Sequence, residues 1–171
     1  MQLVVIAHNI RSIHNVGSIF RSCDGFGVDH LYITGYSPYP ELPEHDPRMP
    51  HVIEKLTRQI SKTAIGAEKT VEFSHHNDVM TLVDQLKSDG FHITALELTS
   101  NSIALYSFSP PDKVALILGE EIDGINIDLL RKADTVVEIP MYGTKESFNV
   151  SVAAGIALYG LRESRSYGKI A

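Results

Sequence analysis

Three polar clusters in this 171-residue chain carry side chains that could bind a ligand or move a proton. They are HNVGSIFR at residues 14–21, LGEEIDGI at 118–125 and KESFN at 145–149. Together they offer carboxylates, carboxamides, hydroxyls, an ammonium and a guanidinium, groups that accept or donate protons and hold anions. Residue types alone leave open whether these groups do chemistry or only cap helices and face solvent.

The second and third clusters each lie next to an apolar segment, and a buried strand or helix formed by that segment would hold the cluster in place. Residues 114–118, VALIL, contain no polar side chain, which is typical of a central strand covered on both faces. Open α/β sheets bind ligands at the carboxyl ends of such strands, where Glu120 and Glu121 follow. In the third cluster, Ser147 and Asn149 are good N-cap residues ahead of apolar residues at helical spacing.

The first cluster is predicted to lie on a helix that Asn15 caps and that Gly25 and Gly27 terminate. Asn15 and Arg21 are six residues apart, which corresponds to about 600° of helical rotation, or about 120° on the helix surface. The two side chains therefore need not share one pocket within a monomer.

Strand and helix patterns alternate along the whole sequence. This order predicts an α/β domain with a mostly parallel sheet, and five prolines between residues 38 and 50 predict a long loop. The predicted strands span residues 3–7, 30–34, 71–74, 91–98, 114–118 and 135–139. Three further helices are predicted. One spans 51–62, one is capped by Asn77 and ends at Gly90, and one spans 128–133.

Length and composition are typical of a single globular domain. A chain of 171 residues with 43% hydrophobic residues is expected to form one domain around a single core. Neither a signal peptide nor an apolar run of about 20 residues is visible, so we expect a cytoplasmic protein that does not span a membrane. The lone cysteine, Cys23, excludes an internal disulfide.

The charge distribution favours a local attraction to nucleic acid over a general one. The net charge of −6 argues against a nonspecific nucleic-acid coat protein. Between residues 48 and 69, however, five basic residues outnumber two acidic ones. Such a stretch could contact phosphate or simply be solvated.

Several common ligand signatures are missing. There is no GxxxxGK[ST] phosphate loop, and Gly25-Phe26-Gly27 follows a helix instead of opening one, which excludes the dinucleotide fingerprint. The histidines show no zinc-binding spacing. His45, Asp46 and His51 could in principle meet a metal in the proline-rich loop, but we expect no metal.

All three clusters match one protein family in order and spacing. Its first motif, N-x(3)-I-x-R followed by GV, occurs at Asn15, Ile19, Arg21 and Gly27-Val28, and its second, G-x-E-x-x-G, at Gly119, Glu121 and Gly124. The third motif contains IPM, a glycine and SFNVSVAAGIAL, with Phe148 where Leu or Met is more usual. The chain thus resembles the SpoU (TrmH-like) branch of the SPOUT RNA methyltransferases.

The resemblance implies a Rossmann-like, mostly parallel sheet with helices on both faces and a C-terminal deep trefoil knot. It also implies transfer of a methyl group from S-adenosyl-L-methionine to a ribose 2′-hydroxyl of tRNA or rRNA. The residues that would bind this cofactor are Leu98, Gly119, Ile139, Met141, Ser147 and Phe148.

The same resemblance assigns catalysis to Arg21, with Asn15, Glu121, Ser147 and Asn149 beside it. Arg21 could act as a general base, or as a cation that orients a phosphate and stabilises the developing alkoxide. The second role is physically easier, because deprotonating a guanidinium at neutral pH costs about 7 kcal/mol. Glu121 is expected to anchor the motif loops by accepting hydrogen bonds from backbone groups or from Asn15.

Family members act as homodimers in which the first motif of one chain meets the cofactor loop of the other, so we expect a homodimer. We also expect a single methyltransferase domain over residues 1–171 with no added RNA-binding domain, which leaves target recognition to this domain. tRNA is favoured over rRNA as the partner. The candidate phosphate contacts are Arg11, His14, Arg48, Lys55, Arg58, Lys62 and Lys145.

Two other functions stay open on the sequence. One is a noncatalytic RNA-binding or assembly module that keeps the knotted fold, although the intact polar residues of the three motifs speak against it. The other is a methyltransferase that acts on a base or a small molecule, although the motif strings follow the ribose-methylating branch.

Overall fold

Residues 1–167 are described by the computed structural model. Strands and helices alternate as predicted, except that β4, β5 and β6 follow one another without an intervening α-helix. The strands are β1 (Gln2–His8), β2 (His30–Thr34), β3 (Phe73–His76), β4 (His92–Leu96), β5 (Ile103–Ala104), β6 (Lys113–Leu118) and β7 (Thr135–Glu138). The helices are α1 (Ile13–Gly25), α2 (Pro50–Ala64), α3 (Val79–Ser88), α4 (Ile127–Leu130) and α5 (Val150–Tyr167).

The described strands form one parallel sheet. Their order is β3-β2-β1-β6-β4-β7-β5, and every hydrogen-bonded pair of neighbours is parallel. The apolar run at 114–118 lies in β6, at the centre of the sheet, and its side chains are buried. On the neighbouring strand β1, Val5 lies opposite Leu116 on one side and opposite Leu31 of β2 on the other.

Helices cover both faces of this sheet. Leu116 and Ile117 are neighbours in β6, so they point to opposite faces. On one face, Leu116 belongs to a core that includes Phe20 of α1 and Leu158 of α5. On the other, Ile117 packs in a core with Val83 of α3. Among the helices of residues 1–167, none has the length and apolarity needed to cross a membrane.

The predicted helix caps were wrong at two helices. At α1 the N-cap is Ser12, whose hydroxyl accepts from the backbone N–H of Asn15 at 3.3 Å, so Asn15 lies inside the first turn. At α3 the cap is Asp78, not Asn77, because its carboxylate reaches the backbone N–H groups of both Met80 and Thr81. An early-turn position leaves the Asn15 carboxamide available for other contacts.

Element boundaries differ from the predictions where side chains or turns compete with the sheet. Val71 was expected in a strand, but its N–H closes a turn on the Ala67 carbonyl at 3.0 Å, and β3 pairing begins at Phe73. The strand predicted at 91–98 ends at Leu96. The helix predicted at 128–133 is the shorter α4, and β5, two residues long, was not predicted.

Gly17 lets α1 and α2 approach closely, and Gly17→Ala is expected to destabilise the fold. A Cβ at this position would overlap the Thr63 hydroxyl and the Ile60 carbonyl oxygen of α2. Glycine-to-alanine changes inside helices usually stabilise by about 0.5–1 kcal/mol. Here overpacking reverses the sign, and we expect a loss of about 1–3 kcal/mol in the free energy of unfolding, measured by urea titration.

The matched control is Gly25→Ala at the end of the same helix. No atom lies within 4 Å of the position that a Cβ would take on Gly25, so this variant should be neutral or slightly stabilised. A Gly17→Ala protein with an unchanged or raised urea midpoint would contradict the close packing of α1 on α2.

Candidate active site

A cleft of about 710 Å³ opens at the carboxyl ends of β4, β6 and β7. Three loops line it, at residues 96–98, 118–124 and 138–148, together with the start of α5. All six residues predicted to bind the cofactor lie in this lining, namely Leu98, Gly119, Ile139, Met141, Ser147 and Phe148. The structure thus brings together residues that are up to 50 positions apart in the sequence.

Glu97 holds two of these loops together through its carboxylate. It was not among the site residues predicted from the sequence. Its Oε2 accepts from the backbone N–H of Ile125 at 2.8 Å, and its Oε1 accepts from that of Leu98 at 3.0 Å. Gly124 has φ +66°, and a Cβ there would overlap the Glu97 carboxylate. The strand predicted at 91–98 included Glu97, whereas β4 ends one residue before it. An acidic residue near the end of the predicted strand was the signal available in the sequence.

A network of three polar side chains joins the first, second and third motifs beside the cleft. Glu121 accepts from Asn15 Nδ2 at 2.8 Å and from the backbone N–H of Arg11 at 3.3 Å. Asn149 Nδ2 donates to Asn15 Oδ1 at 3.2 Å, while Asn149 Oδ1 caps α5 by accepting from the Ser151 N–H at 2.9 Å. The cap at α5 is therefore Asn149, and Ser147 lies in the cleft lining.

Glu121 is held as an anion in this network. Partial burial acts to raise the pKa of its carboxyl, but the hydrogen bonds from Asn15 and from backbone N–H groups outweigh that effect and leave the pKa lowered. A carboxylate with a lowered pKa is a weak base near neutral pH. The contacts of Glu121 fit the anchoring role expected for it.

Arg21 lies apart from the network within one chain. Its side chain lines a second cavity of about 480 Å³, between α1 and α2, in which Lys62 also lies. The first cavity contains no residue of α1 among its lining residues. The chain therefore brings Asn15, Glu121 and Asn149 together but leaves Arg21 on a different surface.

Six of the seven residues predicted to contact phosphate are exposed, namely Arg11, His14, Lys55, Arg58, Lys62 and Lys145. The prediction was wrong for Arg48, whose side chain is only 15% exposed. Its guanidinium donates to the Asp46 carboxylate, donates to the carbonyls of Tyr39 and Pro40 at 2.8 Å, and lies 3.5 Å from the centre of the Tyr39 ring. Arg48 therefore stabilises the proline-rich loop.

The Asp46–Arg48 pair should make stability depend on pH. The hydrogen bonds from the Arg48 side chain hold the pKa of Asp46 well below its usual range. A carboxyl with a lowered pKa stabilises the fold above its unfolded pKa of about 3.9, and loses that contribution as pH falls towards its folded pKa. We expect Asp46→Asn to cost about 2 kcal/mol of unfolding free energy at pH 7, and progressively less below about pH 4.

Urea unfolding of both proteins between pH 7 and pH 3 measures this difference. Asp128→Asn is the control, because the Asp128–Arg131 pair is more than 70% exposed on both sides and should contribute less than about 1 kcal/mol at any pH. An Asp46→Asn penalty that grows as pH falls would contradict the assignment.

Asp46 is also one of the three residues that could have met a metal, together with His45 and His51. Its carboxylate is engaged by Arg48 and by the Leu42 N–H. Within the described part of the chain, no group of three or more His, Cys, Asp or Glu side chains has an arrangement that could hold a metal ion.

These features define an α/β protein with a ligand cleft at the carboxyl edge of a parallel sheet, where enzymes of this architecture bind their substrates and cofactors. Residues 47–159 match the SpoU rRNA Methylase family, which is more than half of the chain. The chain belongs to this family.

Individual relatives support the same family. The tRNA (guanosine(18)-2'-O)-methyltransferase of Borreliella burgdorferi is 35% identical over 65% of this chain and 52% of its own length, so the chain spans about half of that protein. The crystal structure of an A. aeolicus TrmH/SpoU tRNA modifying enzyme matches with a TM-score of 0.79 and 27% identity, over 98% of this chain and 77% of that one.

A further solved structure shares the fold at lower identity. It is an AdoMet-bound rRNA methyltransferase from Sinorhizobium meliloti, with a TM-score of 0.79 and 21% identity over 95% of this chain and 56% of that one. At this identity the likeness concerns the parallel α/β architecture. That architecture agrees with the fold class predicted from the sequence.

Proposed function

We propose that this protein transfers a methyl group from S-adenosyl-L-methionine to a ribose 2′-hydroxyl of RNA. The observation that carries the proposal is the cleft lined by all six predicted cofactor residues, with Asn15, Glu121 and Asn149 joined beside it. Membership of the SpoU family and the names of the relatives support the same reaction.

The chemistry of the cleft fits this cofactor. Apolar side chains such as Leu98, Ile139 and Met141 offer a slot for an adenine ring. The lining also contains the carboxylates of Glu97, Glu120, Glu121, Asp123, Glu138 and Glu146, against the ammonium of Lys145. A negative lining favours a ligand that carries a sulfonium and an ammonium. When bound, S-adenosyl-L-methionine would supply a methyl group activated by its sulfonium: the bond from the 2′-oxygen to the methyl carbon would form as the methyl–sulfur bond breaks, the sulfur would leave as a neutral thioether, and the hydroxyl proton would pass to water.

The residues of the chain then have to orient the ribose and stabilise charge on its 2′-oxygen. The guanidinium of Arg21 stabilises the developing alkoxide or holds the adjacent phosphate. Glu121 orients Asn15, which in turn accepts from Asn149, and Ser147 offers a hydroxyl in the cleft. Orientation accounts for much of the acceleration because the donor is already activated.

We propose a homodimer in which Arg21 of one chain meets the cleft of the other. The separation of Arg21 from the cleft within one chain supports this arrangement. An apolar stripe on α5 offers an interface: Val152 is 50% exposed and Tyr159 is 57% exposed, with Phe148 just before the helix at 39%. Large apolar side chains aligned on one helix face favour burial against a partner.

We also propose that the C-terminal segment is threaded as the deep trefoil knot that the family resemblance implies. The close meeting of the loop at 138–148 with the loop at 118–124 in one cleft supports it. A methyltransferase domain of this kind, extending over the whole chain, would recognise its RNA through its own exposed basic residues.

tRNA is the proposed substrate, ahead of rRNA, and the cytoplasm is the proposed compartment. Two of the three similar proteins bear names that refer to tRNA, while the third and the family name refer to rRNA. The preference for tRNA therefore needs a direct test.

The test uses isotopically labelled S-adenosyl-L-methionine with separate pools of unmodified tRNA and rRNA. After digestion, mass spectrometry identifies the labelled nucleosides. We expect label in a 2′-O-methylated nucleoside from tRNA. Label on a base would make the protein a base-directed methyltransferase. No label in either pool, with cofactor and RNA binding intact, would favour a noncatalytic RNA-binding module.

A further inference from the structure

Tyr36 presents an exposed aromatic ring that is fixed at both ends. It follows β2 directly after Gly35, and its side chain is 54% exposed. Its hydroxyl donates to Glu120 Oε2 at 2.6 Å, and its backbone N–H donates to Asn9 Oδ1 at 3.3 Å. The hydrogen bond to Glu120 raises the pKa of Tyr36 to about 12, so the phenol stays a donor at neutral pH. An exposed ring in one orientation is prepared to stack on a planar group.

This ring lies next to the candidate active site. Glu120 lines the cofactor cleft and precedes Glu121, which holds Asn15 and the backbone of Arg11. The Arg11 side chain is exposed, and its charge acts on the Tyr36 hydroxyl. The aromatic ring of Tyr36 and the charge of Arg11 therefore lie close to Glu120, which lines the cleft.

Glu120 adds an acceptor at the edge of the ring. Its Oε2 accepts from Tyr36, and its Oε1 has no hydrogen-bond partner within residues 1–164. A carboxylate accepts from N–H groups and repels carbonyl oxygens. A base stacked on Tyr36 would be favoured when its edge carries an amino group.

We propose that Tyr36, Glu120 and Arg11 form a platform for an unpaired nucleobase of the RNA next to the target ribose. Tyr36 stacks on the base, Glu120 Oε1 accepts from an amino group of that base, and Arg11 contacts the adjoining phosphate. Single-stranded RNA is recognised in this way, by stacking on aromatic side chains and by hydrogen bonds to base edges. The proposal rests on the proposed function, because it places this base beside the methylated ribose.

Binding of short single-stranded RNA measures the platform without requiring catalysis. The probe is a fluorescein-labelled oligonucleotide with one 2-aminopurine, compared with the same oligonucleotide carrying unsubstituted purine. Stacking on an aromatic residue is worth about 1–3 kcal/mol, so Tyr36→Leu should weaken binding of the 2-aminopurine probe about 10-fold. Tyr36→Phe keeps the ring and should lose less than about 3-fold. Glu120→Gln should abolish the preference for 2-aminopurine over purine.

The matched control is Tyr106→Leu. Tyr106 is 77% exposed and does not line the cleft, so its loss should leave RNA affinity unchanged. Calorimetry with S-adenosyl-L-methionine should give wild-type cofactor affinity for Tyr36→Leu, Tyr36→Phe and Tyr106→Leu, none of which alters a residue of the cleft lining. Glu120 lines the cleft, so Glu120→Gln is judged only by its preference between the two probes. Equal RNA affinity for Tyr36→Leu and wild type would overturn the proposal, as would a loss of cofactor affinity that accounts for the whole effect.

The two proposals fail in distinguishable ways. If the wild-type protein transfers no methyl group but Tyr36→Leu still binds RNA about 10-fold more weakly, the reaction is refuted and the platform stands. If methyl transfer proceeds and Tyr36→Leu leaves both RNA affinity and KM unchanged, the reaction stands and the platform is refuted.

Discussion

Arg21→Ala is expected to lower kcat for methyl transfer by about 100- to 1,000-fold, the range found when a preorganised charge-stabilising group is removed. Cofactor affinity should change little, because all six residues proposed to hold the cofactor belong to the chain that forms the cleft and Arg21 is not among them. In the proposed reaction the Arg21 cation acts when negative charge develops on the 2′-oxygen, so the loss should fall mainly on kcat.

Two comparisons separate a role in the transition state from a general effect of charge. Arg21→Lys keeps the positive charge but not the planar fork, and it should recover part of kcat. Arg131→Ala removes an arginine that is 72% exposed and pairs only with Asp128 among the described residues, and it should behave as wild type. Rates for Arg21→Ala within about 3-fold of wild type would remove Arg21 from the proposed mechanism.

The sequence predicted the sheet well because burial leaves a direct mark on residue type. Five consecutive apolar residues at 114–118 can lie only where both faces are covered, and β6 occupies the centre of the sheet. The helix N-caps were harder to predict, because Ser12 lies near Asn15 and Asp78 lies next to Asn77, and Ser, Asp and Asn all favour the N-cap position. Which of them caps depends on backbone angles and side-chain reach, which composition does not encode.

The candidate active site was also predicted in part: its lining residues were predicted from the sequence, but some side-chain contacts were not. The motif strings predicted which residues line the cleft, because they identify loops that the parallel sheet brings to one edge. The charge pattern misassigned Arg48, since a count of basic residues cannot register that Asp46, two positions away, and the Tyr39 ring engage its guanidinium. Glu97 was missed because the strand was predicted to run to residue 98, which placed Glu97 inside it, whereas β4 ends at Leu96.

Gly119→Ala is expected to weaken cofactor binding by about 10- to 100-fold. A Cβ at this position would lie 2.6 Å from Ile125 Cγ1 and 2.7 Å from the backbone carbon of Gly124. Real Cβ atoms do not approach so closely, so the loop at 119–125 must shift. Because this loop forms one wall of the cleft, calorimetric titration with S-adenosyl-L-methionine should detect the change directly.

Gly143→Ala is the matched control for this variant. Gly143 also lines the cleft, but no atom lies within 4 Å of a Cβ added there, so cofactor affinity should stay within about 3-fold of wild type. Similar cofactor affinities for Gly119→Ala and wild type would mean that the loop tolerates the extra methyl group. The loop at 119–125 would then not be a wall of the cofactor site.

Mixing the two impaired proteins tests whether the site is shared between chains. If Arg21 of one chain completes the cleft of the other, a dimer of Arg21→Ala with Gly119→Ala contains one site with both residues intact. Random exchange makes about half of the dimers mixed, which should restore about a quarter of wild-type activity. If each site were built within one chain, every site would carry one of the two substitutions and mixing would restore nothing. Recovery of activity would therefore explain why the fold separates Arg21 from Asn15, Glu121 and Asn149 on a single chain.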